Sequence, residues 1–468
     1  MYQKLTMIKR GIFFIGIVLA CQICSLLITG CAQIGSPTGG PKDTSAPVLI
    51  KAIPSNNQTN FSGNKITLSF DEYVDLQDIQ SNLLVSPSPR NNPSINSNLR
   101  TITIKLKDSL LPNTTYAINF SNAIKDINEG NVLTNFVYTF STGAYIDSLT
   151  LDGKLMMAET GKIDSSLHVL LYKNASDTDV TSRRPDYVAK LKGDGSFIFK
   201  NLPSGNFKIY ALKDGDGNKY YNAATEPFAF YNTEVNPLDS NHKINLFAYS
   251  EKKQEVNTST TVRNEKEKRL KFANNFIYGK QDLLNTFQLT SNSPLQQFDA
   301  DSILLMDTSF VKIKDYTITI DSSRKKITID YKWPSNQPFN LVVFKNGLSD
   351  STGLKLLKND TIKFFTKSIS EYGSLKITFK NIDLNQHPIL YFLEGENIKY
   401  TFNIQNETWE NKMMLPGDFS MRILYDKNNN GQWDPGNYKL KLQPEISISL
   451  PEKINIKADW ENEREIVL

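Results

Sequence analysis

The feature that most limits how this chain can fold is a two-residue hydrophobic rhythm, repeated in short runs along most of its length. In KITLSF (65–70) Ile66, Leu68 and Phe70 alternate with polar residues, and Ile102, Ile104 and Leu106 do the same in TITIKL. Tyr116, Ile118 and Phe120 follow in TYAINF, then Phe197 and Phe199, then Phe207, Ile209 and Ala211. Successive side chains of a strand point to opposite faces, so each run buries one face of a sheet. Pro, Asn, Gly and Asp clusters bound the runs every ten or so residues, the spacing of sandwich strands and their turns. No long segment has a helical period; DEYVDLQDIQSNLL (71–84) is the one stretch predicted to give a short helix. The fold class is therefore all-β, a tandem of β-sandwiches. The length of 468 residues suggests about three to four domains.

Cysteines occur only at 21, 24 and 31. Lys4, Lys9 and Arg10 precede an almost wholly apolar run, residues 11–29, which is the layout of a secretory signal. The run also approaches the length of a membrane span, so an uncleaved anchor is the alternative. Cys21 and Cys24 lie inside this run, and their C-x-x-C spacing is not read as a redox motif. Ile28-Thr29-Gly30-Cys31 resembles the lipobox of bacterial lipoproteins. That resemblance implies cleavage after a signal peptide of residues 1–30 and lipidation of Cys31 with diacylglyceryl and a palmitate-type acyl group. More than one acyl chain gives stable anchoring, so the membrane is the partner the anchor implies. The mature chain then has no disulfides. Ala32 rather than Asp follows the cysteine, which the resemblance reads as outer-membrane sorting, periplasmic or surface-exposed. Residues 31–46, CAQIGSPTGGPKDTSA, read as a flexible tether.

Residues 47–143 open with Pro47 and Pro54 and follow ITLSF with Asp71-Glu72. They then carry Leu111, Pro112, Tyr116, Asp126 and Gly130 in LLPNTTYAINFSNAIKDINEGN and close on YTFSTG. This pattern resembles the bacterial Ig-like domain of S-layer-type surface proteins, and with the opening SPTGGPKDTSAP it resembles Bacteroidetes-type lipoproteins carrying that domain. The resemblance implies a structural module without catalytic residues. Residues 145–249 contain GDGSFIFKNLPSGNFKIYALKDGDGN (193–218), predicted as a strand, an LPSG turn and a strand forming a hairpin. This resembles transthyretin-like, carboxypeptidase-regulatory-like modules, which implies a spacer role. Residues 250–268 are polar and charged and read as a linker. The plan then recurs: residues 324–353 align with 99–130, placing Asp350 on Asp126, and 415–434 align with 202–222. The expectation is a degenerate Ig-like domain at 269–368 and a second transthyretin-like sandwich at 372–468, in a beads-on-string array.

Asp426, Asn428, Asn430 and Gly431, with Asp434 at the ninth position, match the opening of a calcium loop, in which alternate residues aim oxygens at one point. Asp214, Asp216 and Asn218 repeat the pattern, with Lys219 in place of the glycine. Neither copy has Glu at position twelve, where Asn437 and Thr225 stand. The alternative is a turn rich in residues that form Asx turns. Calcium is the only cofactor suggested. Tyr221 and Trp433, with Tyr220 and Tyr438 nearby, are loop aromatics suited to a glycan or protein partner, or to covering their own sheet. Asp71 and Glu72 are adjacent on an extended run and face opposite ways, so they are no catalytic pair. There is no H-E-x-x-H or G-x-S-x-G. The near balance of 53 basic and 49 acidic residues leaves no footprint for nucleic acid. These readings converge on a non-enzymatic envelope lipoprotein with a structural or interaction role; the alternative is a glycan- or cell-wall-binding lipoprotein using loop aromatics.

Overall fold

The computed structural model describes residues 11, 13, 15–22, 42–239, 243–252 and 269–468. Cys31 and most of the tether and linker lie outside these residues. Among the described residues, no helix is long and apolar enough to cross a membrane. The architecture is all-β, a tandem of separate sheets.

In the unit built from residues up to 83 with 91–109 and 118–139, the alternating runs pair as antiparallel strands. One sheet takes the order Leu49–Ile53, Lys65–Phe70, Thr101–Lys105, Ser94–Asn98. Ile66 faces Ile104 and Leu68 faces Ile102 across the pair, all four fully buried. The stretch 71–84 is mostly not helical: Val74–Leu76 is a strand, and only Ile79–Asn82 forms a helical turn. Val74 is buried and pairs with Asp126, so strand burial wins, and Asp78 at φ 48 ends the extended run.

The second unit contains three successive apolar cores. The first joins Leu151, Leu155, Val169, Leu171, Phe197, Phe207 and Ile209. The second gathers Phe287, Trp333, Phe339 and Phe364. The third includes Leu375, Ile377, Phe392, Phe419 and Ile423. Around the first core, one sheet has the order Ser196–Leu202, Leu149–Met157, Ile244–Ala248. Facing it is Tyr187–Lys190, His168–Lys173, Phe207–Leu212, Phe228–Phe230. The third core repeats this strand for strand. Thr408–Met414, Gly373–Lys380 and Glu461–Val467 form one sheet; Asn397–Asn403, Pro388–Glu394, Gly417–Tyr425 and Ile446–Ile456 form the other. In both copies the first strand runs parallel to the last.

This corrects the expected hairpin. Ser196–Leu202 and Phe207–Leu212 flank the LPSG turn but belong to different sheets, and Thr408–Met414 and Gly417–Tyr425 do likewise. The turn carries the chain across the core, so Phe197, Phe199, Phe207 and Ile209 all bury into the same interior.

The tandem sandwiches are not all independent beads. A loop from the last sandwich enters the first sandwich of this unit: Tyr438 belongs to one buried cluster with Tyr172, Tyr210, Tyr221, Phe228, Phe230 and Tyr249. A second contact ties Ala158–Gly161 to strand Ile446–Ile456. Ser447 donates its N–H to the Ala158 carbonyl (2.8 Å), and the Ser449 hydroxyl donates to the Thr160 carbonyl (2.6 Å). Arg422 Nη1 donates to the Glu159 carbonyl (3.2 Å). A string of beads has contacts only between sequence neighbours; here apolar burial joins sandwiches separated by the intervening 269–368 segment.

Candidate functional site

The Asp–Asn loop at 426–434 starts where strand Gly417–Tyr425 ends. Asp426 is fully buried. Its carboxylate accepts the N–H groups of Asn430 (3.2 Å) and Gly431 (2.7 Å), and Gly431 takes φ 82. Asn428 and Asn430 form a ladder of Asx turns: their Oδ1 atoms accept the N–H of Asn430 (3.1 Å) and Gln432 (2.8 Å). Both amides also donate to Asp434 Oδ2, at 2.6 Å each. Four of the sequence-selected residues thus converge.

The loop at 214–220 repeats the ladder. Lys219 donates its N–H to Asp214 Oδ2 (3.0 Å), as Gly431 does to Asp426. Asp216 and Asn218 accept from Asn218 and Tyr220 at 3.0 and 2.5 Å. Lys219 holds φ 62 at the position where the other copy has glycine. A side chain is strained there, so the recurring contacts hold Lys219 in a conformation that Gly431 adopts freely. Asp214 Oδ1 is buried without a hydrogen-bond partner.

Glu445 is a residue that the sequence pattern does not mark. It is 5% exposed, and its carboxylate clamps the 426–434 loop by accepting the N–H groups of Lys427 (2.8 Å) and Asp434 (3.1 Å). Burial raises its pKa, and the nearby Asp426 and Asp434 charges add to the rise, against the lowering from those two N–H groups. Asp426, Asn428, Asn430 and Asp434 are the side-chain oxygen donors this loop can offer a hard cation such as calcium, with Glu445 bracing the loop from outside.

Asp126 meets a different end. Its carboxylate accepts the N–H groups of Glu129 (2.6 Å), Gly130 (2.8 Å) and Asn131 (2.7 Å). Those bonds hold its pKa below the usual carboxylate range although burial opposes them. Glu72 and Glu129 lie close by, but the Asp126 oxygens serve the turn. Asp350 does the same in its loop, accepting from Thr352 and Leu354 at 2.9 Å each; Gly130 and Gly353 take φ 80 and 79.

The loop aromatics are packed rather than displayed. Tyr221 is 9% exposed and stacks on Phe228 with centroids 4.0 Å apart. Trp433 is half-buried, packs against Tyr391 and Leu424, and donates Nε1–H to the Glu445 carbonyl (2.8 Å). Tyr438, 7% exposed, sits edge-on to Phe228 (5.1 Å), Phe230 (5.2 Å) and Tyr210 (5.8 Å). Its hydroxyl donates to the Asp177 carbonyl (2.6 Å), leaving Tyr210 to donate across 3.0 Å to the Tyr438 oxygen. Burial first, then that bond, raises the Tyr210 pKa, so it stays a neutral donor. The Tyr438 N–H donates to Glu251 (3.1 Å). Gln443 Nε2 donates to the Phe230 carbonyl and Asn232 (2.9 and 2.8 Å). Of the two readings of these loop aromatics, covering their own sheets fits the geometry: burying the rings removes more apolar surface from water than leaving them on loop tips. Beside this aromatic lock around Tyr438 lies a cavity of about 670 Å³, lined in part by Tyr221, Asn222, Glu251, Tyr438 and Lys439.

Comparison with known proteins finds no match among curated proteins. Among solved structures, the Bacillus anthracis TIE protein is similar at 11% identity and a TM-score of 0.17, over 92% of this chain and 76% of that one. The major pilin subunit BcpA of Bacillus cereus is similar at 10% identity and a TM-score of 0.16, over 69% and 99%. The N-terminal part of the bacterial S-layer protein SbsC gives 15% identity and a TM-score of 0.16; the chain covers 42% of it with 38% of its own length. Scores this low do not equate the folds. A family match is found for one segment: residues 43–142, about a fifth of the chain, match the bacterial Ig-like domain.

Proposed function

We propose that this protein is a non-enzymatic envelope lipoprotein, anchored through Cys31, whose β-sandwiches serve as a stiff spacer and interaction surface on the outer membrane. The observation that carries this reading is the aromatic lock around Tyr438, which couples two sandwiches that sequence order keeps apart. A spacer must resist bending, and a buried interface supplies that where a bare linker would not. The proposed modules are 47–143, 145–249, 269–368 and 372–468, and the separate cores within the last three support these bounds. The anchor is tested by Cys31→Ser in a lipoprotein-processing host. The variant is expected to leave the membrane pellet and lose labelling by a palmitate analogue. Retention in the pellet with label intact overturns the anchor.

Calcium at 426–434 belongs to the same proposal. An incomplete ligand set binds weakly, with Kd on the order of 10⁻⁴–10⁻³ M. Millimolar Ca²⁺ should then stabilise by about 1 kcal/mol and raise the melting midpoint by a few degrees, and Asp434→Asn should abolish the rise. A midpoint indifferent to Ca²⁺ would reduce the loop to a turn. A second reading, capture of a cell-wall or surface glycan, is favoured by one observation: the cavity beside the lock is rimmed by hydrogen-bonding side chains, among them Asn222, Thr181 and Lys439.

A further inference from the structure

We propose that this cavity, on the footing of the glycan-binding reading, takes a short neutral glycan, held by the rim groups of Asn222, Thr181 and Lys439 rather than by ring stacking. Its volume of about 670 Å³ lies within the range of small-ligand sites, about 300–1,000 Å³. The apolar part of the wall is Tyr221 and Tyr438 with the small side chains of Ala223 and Ala224, and both rings are already covered. Phe228 stacks on Tyr221, and the Lys441 ammonium stands 3.9 Å from the centroid of Tyr438. Neither ring offers a free platform, so recognition falls to hydrogen bonds.

Among the lining residues two acids, Asp177 and Glu251, balance two bases, Lys439 and Lys441, and Asp177 is also paired with Lys208 from outside the wall. Asp177 pairs with Lys441 at 3.2 Å, and Glu251 accepts the Tyr438 N–H. Lys439 forms no ion pair among the described residues and stands opposite in sign to Glu251. A site so balanced gives no net attraction to a polyanion or polycation. The groups left over are those that read hydroxyl and acetamido groups. The Lys439 ammonium donates. The Asn222 amide both donates and accepts; its one long contact is to Asp216, at 3.5 Å. The Thr181 hydroxyl donates to the Thr178 carbonyl and keeps its acceptor lone pairs. All three side chains are exposed at the rim, so trimming them spares the lock.

The test titrates full-length protein in detergent with N,N′-diacetylchitobiose, cellobiose and a peptidoglycan stem tetrapeptide. One of the disaccharides is expected to bind, with affinity falling at least tenfold in Asn222→Ala/Lys439→Ala at an unchanged melting midpoint. Tyr278→Ala, on an exposed ring of the 269–368 segment, should bind as the parent does. If the parent binds neither sugar, the glycan reading and the cavity assignment fall together. If the double variant binds sugar as well as the parent, the glycan reading stands and the cavity assignment falls. Binding of the tetrapeptide alone also overturns the assignment.

Discussion

Replacing Tyr438 by alanine is expected to uncouple two of the sandwiches. Truncating a buried aromatic to alanine costs about 3–5 kcal/mol, and Tyr438 touches rings on three strands or loops of another sandwich. The loss should lower the melting midpoint of the coupled pair by roughly 10 °C. It should also split one transition into two, as each sandwich then melts alone. Tyr438→Phe keeps the ring and removes only the hydroxyl that links Tyr210 to the Asp177 carbonyl. It should cost about 1 kcal/mol. Differential scanning calorimetry separates these outcomes. A Tyr438→Ala protein with the parent's profile would mean that the sandwiches melt as independent beads and that the lock adds no stiffness.

What the sequence reveals and what it hides follow from range. Period-2 alternation is local, so the amino-acid pattern alone assigns Ile66, Leu68, Ile102 and Ile104 to a buried face, and they are buried. The internal repeat is also legible, because turn chemistry is local. Asp126 and Asp350 bind the backbone of equivalent loops, and Asp214 and Asp426 each take the N–H five residues on. Pairing is not local. An LPSG turn between two alternating strands reads the same whether the strands bond to each other or cross to opposite sheets, and here they cross. The lock is further still from local pattern: Tyr210 and Tyr438 meet across 228 residues. A tyrosine beside a Gly-Asn pair gives no sign of which distant cage will hold it. Glu445 escapes the sequence pattern for the same reason. It clamps Lys427 and Asp434 from a strand entry outside any recognisable motif.

The second large effect is expected at Gly153. This residue lies in strand Leu149–Met157, the central strand of its sheet, and pairs with Phe197 on one side and Ile244 on the other. A Cβ added there would stand 2.4 Å from the Ile244 carbonyl oxygen and 2.6 Å from Phe197 Cζ. The phenyl ring could turn away, but the carbonyl belongs to the neighbouring strand's backbone. Relief requires opening the parallel pair from Gly153–Ile244 towards Met157–Ala248. That pair closes the core containing Leu155, Leu246 and Ala248. Gly153→Ala should therefore cost about 3 kcal/mol, the upper part of the range for overpacking, despite alanine's lower backbone entropy cost. Gly193 supplies the control: it has open space around its Cβ position, so Gly193→Ala should stay within about 0.5 kcal/mol of the parent. Chemical denaturation followed by far-ultraviolet circular dichroism reads both variants. Equal midpoints for the two would show that strand Ile244–Ala248 can shift away at little cost. The sheet would then be held by its antiparallel partner Ser196–Leu202, with the parallel edge contributing little to the stability of the sandwich that receives Tyr438.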